Sequence, residues 1–496
     1  MKNKILGIIE ALYLVLGCIT ASVSYAVSPA DVIDSSEIQS MINEFLEEVP
    51  GLAVSAVCGN DSYCKAFGFD NIKDSTLISE NSNVEIASIS KEFTALSVLL
   101  LQEEGKLSID DSVSDYLPWF NVSYHGEKAD IKIWHLLNHC SGLPNVDKLF
   151  PIGNDDSLKE KTARLVEGAE LVFEPGEQFF YNNVGYDILT CITESTSGES
   201  FEEYVTEEIL EPIGMVNSGF DIPTIQGYRY FYGSLQPYDA PRIKGNVGAG
   251  YLIVSPEDMV CWINAQLGKI DLPEKLTNAI EFSHTITEEH KIKAYDTSSE
   301  NAEETLYYAN GWFQNADGTI FEHSGSNPNF NSMIKINRNK NVGLFTVLNC
   351  QEPYSDDIHF KIYSELCGDD SVIIDSFEYM TNDKIGIYWT ITGIVFFALI
   401  LISAITQKKR ITKKVPKMKS EVFRLIARLL ILSLLLAVFA ALPNLIGYSY
   451  KMAFLWMPLS IMIALFLTDF NIIAMIILSI KRFTIKKKQA LNDEYI

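Results

Sequence analysis

Three long apolar stretches close the chain, and they limit its architecture more than any other feature. Ile385 to Thr406 reads IGIYWTITGIVFFALILISAIT, 22 residues without a charge. At ~1.5 Å per helical residue, that is enough to cross about 30 Å of hydrocarbon. A second stretch runs from about Val422 to Ile446 and a third from about Ala453 to Ile480. Lipid offers no partner to backbone N–H and C=O groups, so each stretch is expected to be a helix. The link between the first two, QKKRITKKVPKMKS, is strongly basic, and so is KRFTIKKK at the end of the third. The link between the second and third, near GYSYK, carries only Lys451. The positive-inside rule then places both basic segments in the cytoplasm and everything before Ile385 outside.

The other end of the chain agrees. Lys2 and Lys4 precede the apolar run ILGIIEALYLVLG, and Ser24-Tyr25-Ala26 follows. A charged start, an apolar middle and a small-residue cleavage site define a secretory signal peptide over residues 1–26. VLGC ending at Cys18 is the alternative, a lipid-attachment signal, although Leu16 fits it poorly. Residues 27–367 are then an extracytoplasmic domain and 368–384 an acidic tether. Residues 385–480 hold the three spans and their basic loop, and 481–496 form a cytoplasmic tail. The formal net charge is −25, yet Gln407 onward carries 15 Lys/Arg against 4 Asp/Glu. The remainder therefore has 24 basic and 60 acidic residues, or −36. So acidic an exterior argues against nucleic acid or anionic lipid as its partner.

Period-2 alternation at 52–58 and 63–69 predicts an early hairpin. Helical periodicity runs from near Ser88 to about Leu267. Alternation returns in TIFEHSG (319–325), NFNSMIKINR (329–338) and NVGLFTVLN (341–349). Strands at both ends with helices between them predict an α+β domain whose single antiparallel sheet joins both ends around a large helical insertion. Cys58 and Cys64 flank GNDSY at the hairpin; in an oxidising exterior they are a candidate disulfide, the alternative being two free thiols. Cys140, Cys191, Cys261, Cys350 and Cys367 have no metal-site spacing and are expected to behave as small apolar residues.

Inside the insertion, VEIASISKEFTALSVLLLQEEGKL (84–106) places two serines near one lysine. Apolar spacing predicts a helix over 88–104 that stops at Gly105. Residues three apart share a helical face, so Ser88 and Lys91 are neighbours, whereas Ser90 points roughly 100° away from Lys91. Taken alone, Ser88 is as well explained as a helix cap. PGEQFFYNNVGYDIL (175–189) puts Tyr181 and Asn183 in a turn before a helical run. FEHSGSNPNFNS (321–332) puts His323, Ser324 and Gly325 at the end of a strand.

In order, SISK, YNN and HSG resemble the active-site signature of the serine β-lactamase and penicillin-binding family: Ser-x-x-Lys, Tyr-x-Asn, then Lys or His-x-Gly. The match is nearest the branch holding class C β-lactamases, D-alanyl-D-alanine carboxypeptidases, D-aminopeptidases and related esterases. IWHLLNHCSGLP (133–144) and GAGYLIVSPEDMVCWI (248–263) fit as flanking text, and the resemblance covers roughly Glu37 to Cys367.

The resemblance implies a β-lactamase/transpeptidase-like fold and no cofactor. It makes Ser88 the acylated nucleophile, with Lys91 and Tyr181 sharing the base and acid roles. A hydroxyl attacks a carbonyl poorly until a neighbour takes its proton. Lys and Tyr, with reference pKa values near 10, serve at neutral pH only when proximity and desolvation shift them. Asn183, His323, Gly325 and Ser326 become the substrate-binding group, the backbone N–H groups of Ser88 and Ser326 facing the oxyanion. His323 stands where many penicillin-recognising members keep a lysine, which argues against strong β-lactamase activity.

His135 and His139, four apart in HLLNH, lack the glutamate of HExxH, and no metal is expected. Asp469 and Asn471 interrupt the third span, where an ionisable group is either functional or paired with a neighbouring helix. Three readings follow. The first is a membrane-anchored hydrolase of peptides bearing D-amino acids, cell-wall fragments among them, or of small esters. The second is an acylated sensor or scaffold that recruits a membrane-protein partner through the spans. The third is a true β-lactamase.

Overall fold

The computed structural model describes residues 28–144, 158–295, 306–351, 355–369, 381–407 and 418–494. The signal peptide, most of the acidic tether and most of the basic link after Thr406 lie outside the described residues. Helix α1 (Ser36–Phe45) leads into strands β1 (Gly51–Cys58), β2 (Asp61–Asn71) and β3 (Thr76–Leu77). The helical insertion includes α2 (Ser90–Glu103) and α3 (Asn183–Ser197), a hairpin of β4 (Tyr228–Phe231) and β5 (Ser234–Pro237), and α4 (Pro256–Gln266). The chain then returns to strands: β6 (Lys293–Tyr295), β7 (Leu306–Ala309), β8 (Trp312–Gln314), β9 (Ile320–Asn327), β10 (Phe330–Asn337) and β11 (Val342–Leu348). Helix α5 (Ser355–Cys367) closes the domain.

Nine of these strands, all but the β4-β5 hairpin, form one antiparallel sheet in the order β6-β7-β8-β9-β10-β11-β1-β2-β3. Its centre is the pairing of β1 with β11, the two ends of the domain, as the sequence pattern predicts. Strand β1 is buried along its whole length because it is covered on both faces. Leu52, Val54 and Ala56 join Ile38, Ile42 and Phe45 of α1 and Ile358 and Ile362 of α5 in one apolar layer. Ala53 and Val57 face the opposite layer with Phe93, Leu96 and Trp262, which joins the insertion to the sheet.

This two-sided packing overturns the candidate disulfide. Cys64 sits opposite Ser55, whereas Cys58 sits opposite Asp61. Positions 55 and 58 are an odd number of residues apart, so the two side chains leave opposite faces of the sheet. Cys58 is buried in the layer with α1 and α5, Cys64 lies against Ser55 at 3.7 Å, and both are free thiols. The spacing that suggested a bridge belongs to a hairpin whose register forbids it.

Among the described residues, three helices are long and apolar enough to cross a membrane: α6 (Thr381–Gln407), α7 (Met418–Leu445) and, after a short helix α8 (Tyr450–Trp456), α9 (Leu459–Glu494). The third span starts later than the expected Ala453. Pro458 cannot donate into a helix and biases the residue before it to extended backbone; Met457 takes ψ 148°. Residues 450–456 thereby separate as α8, whose Met452 and Leu455 are buried in the core of the preceding domain. Asn471 ties α9 to α6 by donating to the Gly393 carbonyl at 2.9 Å, where a Cβ on Gly393 would lie 2.8 Å from Leu467. Asn471 is therefore a packing device. The Oδ1 atom of Asp469 has no hydrogen-bond partner among the described residues.

The domain is also fastened directly to α6 and α9. The two-residue turn between β4 and β5, Tyr232-Gly233, has φ of 50° and 75°, as a tight hairpin requires. Asp383, buried near the start of α6, accepts both turn N–H groups, Tyr232 at 3.3 Å and Gly233 at 2.7 Å. The same carboxylate accepts the Ser460 hydroxyl of α9, and Tyr232 Oη meets Thr390 Oγ1 at 3.0 Å. Nearby, Arg229 stacks on the Tyr238 ring at 3.7 Å and donates to the Phe454 carbonyl of α8 at 3.4 Å.

Candidate active site

Ser88 stands where the chain turns sharply into α2. A short strand, Val84–Glu85, ends just before Ala87, which takes φ 48°, and the 3-10 turn Ala87–Ile89 follows. A left-handed alanine costs roughly 1–2 kcal/mol, so neighbours must hold it. Ile86 N donates to the Leu252 carbonyl at 3.2 Å, and Ser332 Oγ donates to the Ile86 carbonyl at 2.8 Å. The turn leaves Ser88 half-buried at the start of the helix, while Lys91, one turn further, is fully buried. Ser90 is buried as well, its Oγ accepting from Leu252 N at 3.0 Å, away from Lys91.

Lys91 Nζ donates to Ser88 Oγ at 3.1 Å and to the Ala249 carbonyl at 2.6 Å. It also lies 4.9 Å from the Tyr181 ring centroid and 5.6 Å from that of Tyr186. The Ala249 carbonyl is fixed by its neighbour. A Cβ on Gly248 would fall 2.3 Å from Thr190 Oγ1 and 2.7 Å from Thr94 Oγ1, so only glycine lets α2 and α3 close on this turn. Thr94 Oγ1 donates to the Gly248 carbonyl at 2.6 Å.

Tyr181 comes from the turn before α3, with Asn183 the first helical residue. Asn182 anchors that turn. Its side chain caps α3 by accepting from Gly185 N and donates to the carbonyls of Leu143 and Pro144 at 3.1 and 3.0 Å. Its N–H points to His139 Nδ1 at 3.3 Å. His139 is thus buried in the centre of the site, its ring 4.2 Å from that of Tyr181 and 4.5 Å from that of Tyr308. Accepting at Nδ1 leaves the ring proton on Nε2, which has no partner among the described residues. Burial, with the nearby Lys91 charge, holds this imidazole well below the usual histidine range. His135 lies apart: its Nδ1 accepts from Lys132 N at 3.0 Å, and burial lowers it to about 4.

His323 is carried into the same cluster by β9. Its Nδ1 donates to the Ser324 carbonyl at 2.7 Å, so Nε2 accepts from the Tyr308 hydroxyl at 3.1 Å. Burial first and the Lys91 charge second lower His323 to about 3, the Ser324 carbonyl opposing them. The ring is neutral and inside the protein, unable to present a cation to a ligand. Strand β8 pairs with β9 only through Phe313 and Gln314, opposite Glu322 and Phe321. Residues 323–327 are bonded to β10 on one side, and their other edge lies against the turn that carries Ser88. Ser324 and Ser326 are exposed along this stretch. Gly325 is required there by contact, since a Cβ would sit 2.1 Å from the Ile86 carbonyl.

The structure therefore gathers Ser88, Lys91, Tyr181 and His323 around one point, with Gly325 and Ser326 on the adjoining strand edge. It adds residues the sequence did not single out. Glu85 accepts from Asn327 Nδ2 at 2.6 Å and pairs with Arg242 at 3.0 Å, while Asn327 also donates to the Gly250 carbonyl at 3.1 Å. This clamp ties the strand edge, the serine turn and the segment bearing Ala249 together; nothing in the local sequence marked these residues. Tyr308, Tyr186 and His139 form the aromatic floor; His139 and Tyr186 lie in blocks already quoted, and Tyr308 does not.

Residues 38–362 match the Beta-lactamase family, about two thirds of the chain, and the chain belongs to that family, whose members are generally serine hydrolases. It is 28% identical to protein flp of Staphylococcus aureus strain MRSA252 over 91% of this chain and 92% of that relative. It is 31% identical to penicillin-binding protein 4* of Bacillus subtilis over 57% of this chain and 64% of that one. Among solved structures, the octameric penicillin-binding protein homologue of Pyrococcus abyssi is similar at TM-score 0.57 and 28% identity, covering 68% of this chain and 78% of that one. A class C beta-lactamase shares the fold at TM-score 0.57 and 20% identity, covering 68% and 96%.

Proposed function

We propose that the chain is a membrane-anchored, extracytoplasmic serine hydrolase that acts through an acyl-Ser88 intermediate on peptides carrying D-amino acids or on small esters. The observation that carries this reading is the buried Lys91, its Nζ 3.1 Å from Ser88 Oγ and packed beside the Tyr181 ring. In the acylation step, Ser88 Oγ forms a bond to the substrate carbonyl carbon as its proton passes to the Lys91–Tyr181 pair. The carbonyl oxygen becomes an oxyanion facing the N–H groups of Ser88 and Ser326, each such donor being worth ~3–4 kcal/mol in comparable sites. The bond to the leaving group breaks, and Tyr181 returns the proton to it. Water then attacks the ester and restores Ser88. Asn183, at the first turn of α3, binds the substrate amide or positions Lys91.

His323, neutral and turned onto Tyr308, offers no charge for a substrate carboxylate, which favours peptidase or esterase substrates over β-lactams. A second reading, an acylated sensor with little turnover, is favoured by the Asp383 contacts that join the domain to α6 and α9. Full-length protein in detergent, treated with a fluorophosphonate probe and weighed intact, tests the assignment. Labelling is expected in wild type and absent in Ser88→Ala. Labelling that survives Ser88→Ala and disappears in Ser90→Ala would overturn it. Turnover of a generic ester supports the hydrolase, and a lasting adduct without turnover supports the sensor.

A further inference from the structure

Helix α9 packs against both α6 and α7, so the three spans form a fan with α9 at its hinge. At the end nearest the hydrolase domain the fan is closed: the Trp389 and Phe439 rings meet across it at 6.2 Å, tilted by 52°, and Trp389 Nε1 donates to Thr468 at 2.9 Å. Towards the other end α6 and α7 leave a crevice of about 440 Å³, floored by Met475 and Leu478 of α9 and walled by Phe396, Leu399, Ile431 and Leu432. Its mouth carries Arg428, Arg482, Ser403 and Ser479. At ~1.5 Å per residue, Phe396 lies about 20 Å along α6 from Asp383 and Ser403 about 30 Å. The crevice is therefore apolar at mid-depth and polar at the level where headgroups of the far leaflet begin.

No described residue engages the arginine charges at that mouth. Glu421 pairs with Arg424 at 3.2 Å and with Lys486 at 2.7 Å, satisfying two of the local cations. Neither Arg428 nor Arg482 has a hydrogen bond or ion pair among the described residues. Two guanidinium groups from different helices, each able to hold phosphate oxygens in a fork, converge on a slot lined with methyl and methylene groups.

We propose that this crevice is a binding site for one anionic phospholipid of the leaflet remote from the hydrolase domain. Its phosphate lies between Arg428 and Arg482, and the first part of an acyl chain lies in the slot reaching Phe396. The proposal rests on reading the three helices as membrane spans. A zwitterionic lipid would bring its own cation to a mouth that already holds two. A second copy of the chain has a poor claim to the slot, because the unpaired cations at its mouth would repel their own counterparts.

The test uses the full chain, purified in detergent, stripped of lipid and weighed intact by native mass spectrometry during titration with phosphatidylglycerol or phosphatidylcholine. Resistance of the membrane-bound chain to alkaline extraction is measured first, and extraction would refute the membrane reading itself. With the spans confirmed, one phosphatidylglycerol is expected to bind at least tenfold more tightly than phosphatidylcholine. Arg428→Ala/Arg482→Ala should remove that preference, Arg428→Lys/Arg482→Lys should keep most of it, and Ser479→Trp should block occupancy with both arginines intact. Equal retention of the two lipids would overturn the site. So would an unchanged preference in the double alanine variant, competition by millimolar inorganic phosphate alone, or a dimer cross-linked through the crevice. Circular dichroism and monodispersity of each variant separate loss of binding from loss of fold.

Discussion

The exchange of Lys91 for methionine separates chemistry from architecture at this site. Methionine keeps an unbranched apolar stem in the slot between α2 and the Ala249 turn and removes only the nitrogen. The hydrogen bonds to Ser88 Oγ and to the Ala249 carbonyl disappear. A buried carbonyl left without a partner costs about 1–3 kcal/mol. Removing a fully buried amine that folding must strip of water offsets a cost of similar size or larger. The net change in stability is therefore expected to be small, within about 2 kcal/mol, and the melting temperature should move by only a few degrees. Activity should not be spared. A positioned acid–base group contributes roughly 10²–10⁴-fold, so the rate of fluorophosphonate labelling, followed by intact mass, should fall at least about 100-fold. Labelling within about threefold of wild type in a folded Lys91→Met protein would refute the role given to this lysine.

The strand edge offers a steric test: Gly325→Ala puts a Cβ 2.1 Å from the Ile86 carbonyl, so the serine turn or β9 must move. A loss of about 1–3 kcal/mol with a drop of about 100-fold in ester turnover is expected, read by thermal melts and kinetics. The four wholly buried histidines, His139, His284, His323 and His359, are all held below the usual range by burial, so unfolding takes up protons. Their stabilising effect is present above about pH 6.5 and is lost as pH falls towards about 3. The slope should reach as much as about 5 kcal/mol per pH unit, and a flat urea-unfolding profile between pH 7 and 4 would contradict their burial. Asp383→Ala removes the acceptor of the Tyr232 and Gly233 amides. Hydrogen exchange at those two positions should accelerate at least about tenfold, about 1.4 kcal/mol, with amides of β1 unaffected.

Much of the sheet was legible because it depends on alternation, and β1, β9, β10 and β11 fall close to where period-2 patterns place them. The serine–lysine relation was legible because helical spacing alone puts positions three apart on one face. What the pattern could not carry is register and long-range contact. Cys58 and Cys64 look bridgeable in one dimension and leave opposite faces in three. Glu85, Asn327 and Arg242 are scattered over more than two hundred residues and meet only in the folded chain. His139 lies in a segment whose sequence fits only as flanking text, yet the fold brings its ring to 4.2 Å from that of Tyr181. The third apolar run misled through composition: residues 453–456 are as greasy as a span, but Pro458 cuts them off and the domain claims them.

The hairpin turn gripped by Asp383 changes the dimensionality of whatever reaction occurs at Ser88. An enzyme on a slack leash samples a hemisphere and meets its substrate by volume diffusion. Here the leash is short-circuited by contacts of 2.7 to 3.3 Å at the Tyr232-Gly233 turn. With α6 and α9 spanning a membrane as proposed, the cleft is held at one altitude above the bilayer, in one orientation. Encounter then becomes a matter of how many scissile bonds pass through a thin slab per unit area, and lateral traffic counts for more than bulk concentration. Release of the turn in Asp383→Ala would loosen this hold while the α8 contacts remain, and the ratio of rates on surface-bound and freely dissolved esters is expected to fall with it.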